Sequence, residues 1–76
     1  SQLERKFRRM FHASPTQYIT RVRINAACHE LAHTSRKIAV VARELGFYDH
    51  SYFTKRFREF MGVSPAEYRR RQGITE

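Results

Sequence analysis

The stretch Ile38-Ala39-Val40-Val41-Ala42-Arg43-Glu44-Leu45-Gly46-Phe47-Tyr48-Asp49-His50-Ser51-Tyr52-Phe53-Thr54-Lys55-Arg56-Phe57 decides the fold. Ile38, Val41, Ala42 and Leu45 recur at helical spacing and predict a short helix from Ile38 to Leu45. Gly46 ends it and allows a tight turn. Asp49 or Ser51 caps a second helix reaching Met61, with Phe53, Phe57 and Phe60 on its inner side. Ala42 is small, so the second helix crosses close over it, and Phe47, Phe53 and Phe57 lock the crossing angle. The opposite face then carries His50, Ser51, Thr54, Lys55 and Arg58, which are hydrogen-bond donors. A helix presented in this way fits a DNA major groove, where side chains read base edges. An ordinary helical hairpin with a solvated basic face has the same pattern, so the rest of the chain has to discriminate.

Toward the C-terminus, Gly62 suits a left-handed helix end and Ser64-Pro65-Ala66-Glu67 is a helix start of the capping-box type. The last helix begins at Pro65 and frays after Arg71. Toward the N-terminus, Ser14-Pro15-Thr16-Gln17 repeats that box and opens a long helix from Pro15 to about His33. Tyr18, Ile19, Val22, Ala26 or Ala27, and Leu31 form its expected buried side, and Thr34 to Lys37 is a polar connection. A first helix runs from Ser1 to Phe11, with Leu3, Phe7, Met10 and Phe11 as its apolar stripe. Shifting the chain by 50 positions aligns the two ends. Ser1 falls on Ser51, Phe7 on Phe57, Arg8 on Arg58, Ser14-Pro15 on Ser64-Pro65, and Tyr18 on Tyr68. This double pattern favours two related modules, the first with Gln2, Arg5 and Arg8 on its outer face. His12 stands where the second module has Gly62. No segment alternates as a strand does.

The 76 residues carry 15 Lys and Arg against 7 Asp and Glu, a net charge of +8, which points to a polyanionic partner. A chain this short leaves little interior for an enclosed catalytic pocket. No apolar run approaches the roughly 18 residues that span a membrane, and there is no signal-peptide pattern. A single cysteine, Cys28, forbids an internal disulfide and fits a reducing cytoplasm; it reads as a semi-buried filler. The phenylalanines lie at helical spacing, as core residues do, which argues against single-stranded RNA binding on exposed aromatics. Tyr18 and Tyr68 are expected to pack against their modules. Arg69-Arg70-Arg71 reads as a solvated or phosphate-touching end.

One motif competes. His29-Glu30-Leu31-Ala32-His33 spells the zinc-protease pattern, in which two histidines one turn apart bind metal and the glutamate is the general base. A catalytic site also needs a third protein ligand. Arg36 and Ala39 stand where the extended motif has glycine and its third histidine. No strand is available to hold a peptide. The chain is therefore read as a non-enzyme with no cofactor and no resident metal; adventitious zinc binding by His29 and His33 is the stronger remnant of the motif.

The chain resembles the DNA-binding domain of the AraC/XylS family of bacterial transcription regulators. The resemblance rests on Arg23-Ile24-Asn25-Ala26-Ala27, Ile38-Ala39-Val40-Val41-Ala42, Leu45-Gly46-Phe47, Ser51-Tyr52-Phe53, Phe57-Arg58 and Gly62-Val63-Ser64-Pro65-Ala66-Glu67-Tyr68-Arg69. It implies an all-α fold of two helix-turn-helix, homeodomain-like modules joined by a long linker helix. Against that pattern the chain starts inside the first recognition helix, so the first module is incomplete; residues 1–33 hold its remainder plus the linker, and 34–76 the complete second module. Glu30 sits where the family usually has leucine, and His12 replaces the usual glycine.

The resemblance also implies base reading from the positions of Ser1, Glu4 and Arg5 and of His50, Ser51, Tyr52 and Lys55, to which the helix face adds Gln2. Helix geometry independently favours Arg5, Lys55, Arg8 and Arg58. A carboxylate such as Glu4 can only accept, and its usual base partner in the major groove is the cytosine amino group. Arg8, Arg9, Lys37, Thr54 and Arg58 are the candidate phosphate contacts. The expected function is sequence-specific double-stranded DNA binding by a transcription regulator, an activator in the bacterial cytoplasm and nucleoid. RNA polymerase is a candidate partner, a sensor domain lies outside this chain, and no membrane is involved. The alternative is a non-catalytic helical protein-interaction module with non-specific DNA affinity.

Overall fold

The computed structural model describes Arg5 and residues 14–73. Four helices follow one another: α1 (Pro15–His33), α2 (Ile38–Glu44), α3 (His50–Met61) and α4 (Pro65–Arg71). The described residues contain no strand, and the all-α expectation holds. The expected stripe of Leu3, Phe7, Met10 and Phe11 lies outside the described residues, as does His12.

Local chemistry sets the boundaries. Ser14 caps α1 through a full box: its hydroxyl accepts from the Gln17 amide at 3.2 Å, and the Gln17 side chain accepts from the Ser14 amide at 3.0 Å. Ser64 caps α4 with nearly the same backbone, φ −70° and ψ 161° against −71° and 161° at Ser14. The second box is only half closed. The Ser64 hydroxyl accepts from the Glu67 amide at 3.1 Å, but the Glu67 carboxylate turns to Arg70 and Arg71. Two nearby guanidiniums are better partners for a carboxylate than one neutral amide. Between α2 and α3 the chain reverses through Gly46 at φ +90°, where a Cβ would come to 3.3 Å of the Arg23 guanidinium carbon. Asp49 then caps α3, accepting from the Tyr52 amide at 2.7 Å. α2 ends one residue before the expected Leu45, which serves as its C-cap.

The core forms where α1 passes under the other three helices. Ile24, Ala27 and Leu31 of α1 meet Val41 and Ala42 of α2, Phe47 of the turn, and Phe53 and Phe57 of α3. Phe53 and Phe57 are wholly buried; burial of such a ring stabilises by about 1.5–3 kcal/mol. Their rings continue a chain of edge contacts: Phe47 to Phe53 at 4.9 Å, Phe53 to Phe57 at 5.7 Å, Phe57 to Tyr68 at 5.7 Å. Ala42 is buried in this core.

Two expectations for α1 and α4 need correction, and one open alternative is decided. The buried stripe of α1 is Thr20, Ile24, Ala27 and Leu31, while Tyr18, Ile19 and Val22 are 38%, 48% and 49% exposed. α1 carries apolar residues on more than one side, so periodicity alone did not identify the side that α2 to α4 cover. Ala27, not Ala26, is the fully buried alanine. Arg69 is not a solvated end: it is buried, and its Nε donates to the Leu31 carbonyl at 3.2 Å. That oxygen lies in the last turn of α1, where helix carbonyls lack intrahelical donors. Arg70 and Arg71 do face solvent, each paired with Glu67.

Cys28 and Tyr68 share a side-chain hydrogen bond at the edge of this core. Burial pushes the Cys28 thiol above the usual thiol range, and the bond to Tyr68 only partly offsets it. Burial likewise raises the Tyr68 phenol, with the adjacent thiol adding to the shift. Both groups therefore lose their protons earlier in the unfolded chain than in the folded one. Their contribution to stability is complete below the ordinary thiol value and is lost as pH rises through the folded values. Urea midpoints should hold steady up to about pH 8.5 and fall above it, and Cys28→Ala should reduce that alkaline fall. Among capping and core residues, Asp49→Ala should cost about 1 kcal/mol and Phe57→Ala about 3–5 kcal/mol in the same urea titrations.

Candidate nucleic-acid interface

α3 is amphipathic by construction. Its inner side is held by Phe53 and Phe57, and Phe60 packs at the edge of the core. On the outer side His50, Ser51, Thr54, Lys55 and Arg58 line one shallow open groove. All except Thr54, which is half-buried, are exposed. The positions recur at one, three and four residues, so they stay on a single helix face. Sequence reasoning named these five together, and the structure brings them together.

Tyr52 lies apart from that group, about 130° round the helix from the middle of the face at 100° per residue. Its ring stands 6.3 Å from Phe47, and the Arg56 guanidinium lies 6.0 Å above it. It is 45% exposed, at the margin between core and groove. Lys37 is the exposed N-cap of α2 and makes no side-chain cap bond. Arg5 is exposed and helical. Ser1, Gln2, Glu4, Arg8 and Arg9, the other candidates near the N-terminus, lie outside the described residues.

The electrostatics of the face depend on where the carboxylates go. Glu30 and Glu44 both grip Arg36, Glu59 holds Arg56, and Glu67 holds Arg70 and Arg71. Asp49 is engaged at the cap of α3. Every described carboxylate thus has a local partner, and none pairs with Lys55 or Arg58. Among the described residues Lys55 and Arg58 have no acidic side chain within 4 Å, so their charge projects into solvent. The Arg36 bridge also lowers the Glu44 carboxyl below its usual range, by the hydrogen bond first and the attraction of the two charges after it.

The metalloprotease-like motif resolves into other contacts. The His29 and His33 rings stack at 4.4 Å, and His33 Nδ1 lies 2.9 Å from the His29 carbonyl oxygen. Glu30 projects away from them onto Arg36 at 3.1 Å. No group of three metal-ligating side chains occurs among the described residues. Sequence reasoning weighed Glu30 as a general base and missed it as a brace; its signal was the nearby Arg36 in the polar connection.

This geometry defines a helix-turn-helix: two helices joined by a tight glycine turn, the second anchored by aromatic rings with a basic polar face outward. The family profile of a helix-turn-helix domain matches residues 1–71. The chain is 38% identical over 73 residues to the HTH-type transcriptional regulator GbdR of Pseudomonas aeruginosa, which covers 96% of this chain and 20% of that protein. It is 35% identical over 69 residues to the lactose operon transcription activator of Staphylococcus xylosus, covering 91% of this chain and 25% of that one. The crystal structure of a transcriptional regulator from Chromobacterium violaceum, of the AraC-type DNA-binding domain-containing proteins, superimposes with a TM-score of 0.89 at 28% identity. The match covers 99% of this chain and 67% of that chain. The chain belongs to the AraC-type helix-turn-helix family of transcription regulators. It spans a quarter or less of the length of these two relatives. No described helix is long and apolar enough to cross a membrane.

Glu30→Gln separates the two readings of the motif. It should shift the urea midpoint only slightly, since the pair with Arg36 is partly exposed and such pairs contribute about 1 kcal/mol or less. Peptide hydrolysis assayed with added Zn²⁺ should be at background in both the parent chain and the variant.

Proposed function

We propose that this chain is the sequence-reading part of a transcription regulator and binds double-stranded DNA through α3. The observation that carries this reading is the outer face of α3, where five donor side chains share a groove from which every described carboxylate is withdrawn. α3 lies in a major groove. His50, Ser51 and Lys55 read base edges there, with Tyr52 at the margin, while Thr54 and Arg58 hold phosphate oxygens. Lys37 adds a phosphate contact at the start of α2. Lysine and arginine contacts supply salt-sensitive affinity by releasing counterions.

The N-terminal segment supplies the second reading helix, with Ser1, Gln2, Glu4 and Arg5 toward bases and Arg8 and Arg9 toward phosphates. α1 has 19 residues and spans about 28 Å at 1.5 Å per residue. Successive major grooves on one face of a duplex lie about 34 Å apart. A rigid spacer of that length suits two reading helices in neighbouring grooves. The remainder of the longer regulator holds the sensor, the site of action is the cytoplasmic nucleoid, and the bound regulator activates transcription by contact with RNA polymerase.

Selection from a random duplex pool tests the reading. Two enriched boxes about one helical turn apart are expected; a pool that enriches nothing would instead mark a protein-interaction module with sequence-blind DNA affinity. The roles on α3 separate by mutation. Lys55→Ala should weaken the selected site by about 1–3 kcal/mol and random duplex much less. Arg58→Ala should weaken both alike and reduce the slope of log affinity against log salt by about 0.9. Equal losses for the two variants on both duplexes would overturn the assignment.

A further inference from the structure

Tyr48 is the most exposed large hydrophobic side chain among the described residues, 93% accessible to solvent. It stands in the turn between α2 and α3, and the backbone on either side of it is pinned. Phe47 before it is buried, and the Phe47 amide donates to the Ala42 carbonyl at 3.0 Å. Asp49 after it is the N-cap of α3, its carboxylate held by the Tyr52 amide. The neighbouring Phe47, Tyr52 and Phe53 rings are engaged: Phe47 touches Phe53 and Tyr52, and Tyr52 carries Arg56. Tyr48 shares in none of these contacts. A fixed backbone therefore displays an aromatic ring and a phenolic donor to water, two residues ahead of the groove-lining His50.

Folding alone gives no reason for that placement, because a ring left in water contributes no burial. A duplex seated on α3 does give one. In that pose the turn leading into the reading helix comes up against the sugar-phosphate wall of the major groove. Lys55 and Arg58, without an acidic partner among the described residues, draw the same polyanion to the outer face of α3. A tyrosine hydroxyl is a phosphate donor, and its ring is apolar enough to cover a deoxyribose. We infer that Tyr48 is a DNA-backbone contact, its hydroxyl donating to one phosphate oxygen at the edge of the groove read by α3 and its ring lying on the adjoining sugar. The inference rests on the DNA reading of α3 and adds a residue that the basic-face pattern leaves out. Because the contact is neutral, it should fix the register of α3 on the duplex without adding to counterion release.

The test uses the full chain with two probes, a short duplex of random sequence at low salt and the duplex obtained by selection. Tyr48→Phe removes only the hydroxyl and Tyr48→Ala removes the ring as well. Tyr48→Phe should weaken binding about 5-fold on both probes and Tyr48→Ala about 10-fold or more, at an unchanged Tm. The salt slope should stay at the parent value in both, unlike that of Arg58→Ala. In a series of duplexes carrying one neutral methylphosphonate each, one position should abolish the difference between the parent chain and Tyr48→Phe. Parent-like affinity of both variants, with Arg58→Ala still impaired, would overturn the Tyr48 contact and leave the reading of α3 standing. A lowered Tm in Tyr48→Phe would assign the residue to folding and also overturn it. Failure of the parent chain to bind either probe would sink the DNA reading and this contact together.

Discussion

The aromatic chain from Phe47 through Phe53 and Phe57 to Tyr68 is the contact on which the molecule depends. Among the described residues it is the set of rings that touches the turn, α3 and α4 in succession. With Phe53 and Phe57 wholly enclosed against Ile24, Ala27 and Leu31, α3 has no freedom to roll about its axis. A roll of one residue, about 100°, would carry Lys55 toward the core and a phenylalanine toward water. The outer face is therefore determined from within: the rings decide which side chains the protein offers to its surroundings.

Charge is then sorted around that fixed helix. The excess of basic residues would be of little use if the carboxylates were spread evenly, because each would neutralise a neighbouring cation. Instead each described carboxylate is engaged by a local partner outside the groove of α3. Glu30 and Glu44 close on Arg36 between α1 and α2, Glu59 stays with Arg56 on the flank of α3, and Glu67 serves the end of α4. These partly exposed pairs contribute little stability one by one. Their larger effect is on the field: no described carboxylate offsets Lys55 or Arg58 on the face that the rings turn outward.

Much of this was legible in the residues. The helix starts at Pro15, Pro65 and Asp49 were readable because Ser-Pro and Asp caps act through bonds to amides two or three positions away. The face of α3 was readable because its phenylalanines and its polar residues have one period and occupy opposite sides. α1 was misread for the contrary reason. Its apolar residues lie on several sides, so Tyr18, Ile19 and Val22 competed with Ile24 and Leu31, and only the packing of α2 to α4 chose between them. Arg69 was misread as solvated because nothing local reveals the Leu31 carbonyl, 38 residues earlier in the chain. The half-closed box at Ser64 was set by Arg70 and Arg71, downstream residues that the four-residue motif does not include.

The sequence His29 to His33 shows the same limit from the side of chemistry. A metal motif is a statement about three side chains converging on one point, yet five residues on a helix specify only two. Whether the third arrives is a matter of tertiary structure, and here Glu30 is drawn 100° round the helix to a guanidinium that the motif does not contain. That guanidinium belongs to Arg36 in the linker, which also takes hold of Glu44 near the end of α2. The residue that a catalytic reading would make a proton acceptor instead joins the long helix to the first helix of the helix-turn-helix. α2 leads through the turn into α3, so a brace between α1 and α2 acts on the orientation of the outer face of α3. The strength of this ionic tie will follow ionic strength in the way that an apolar contact does not.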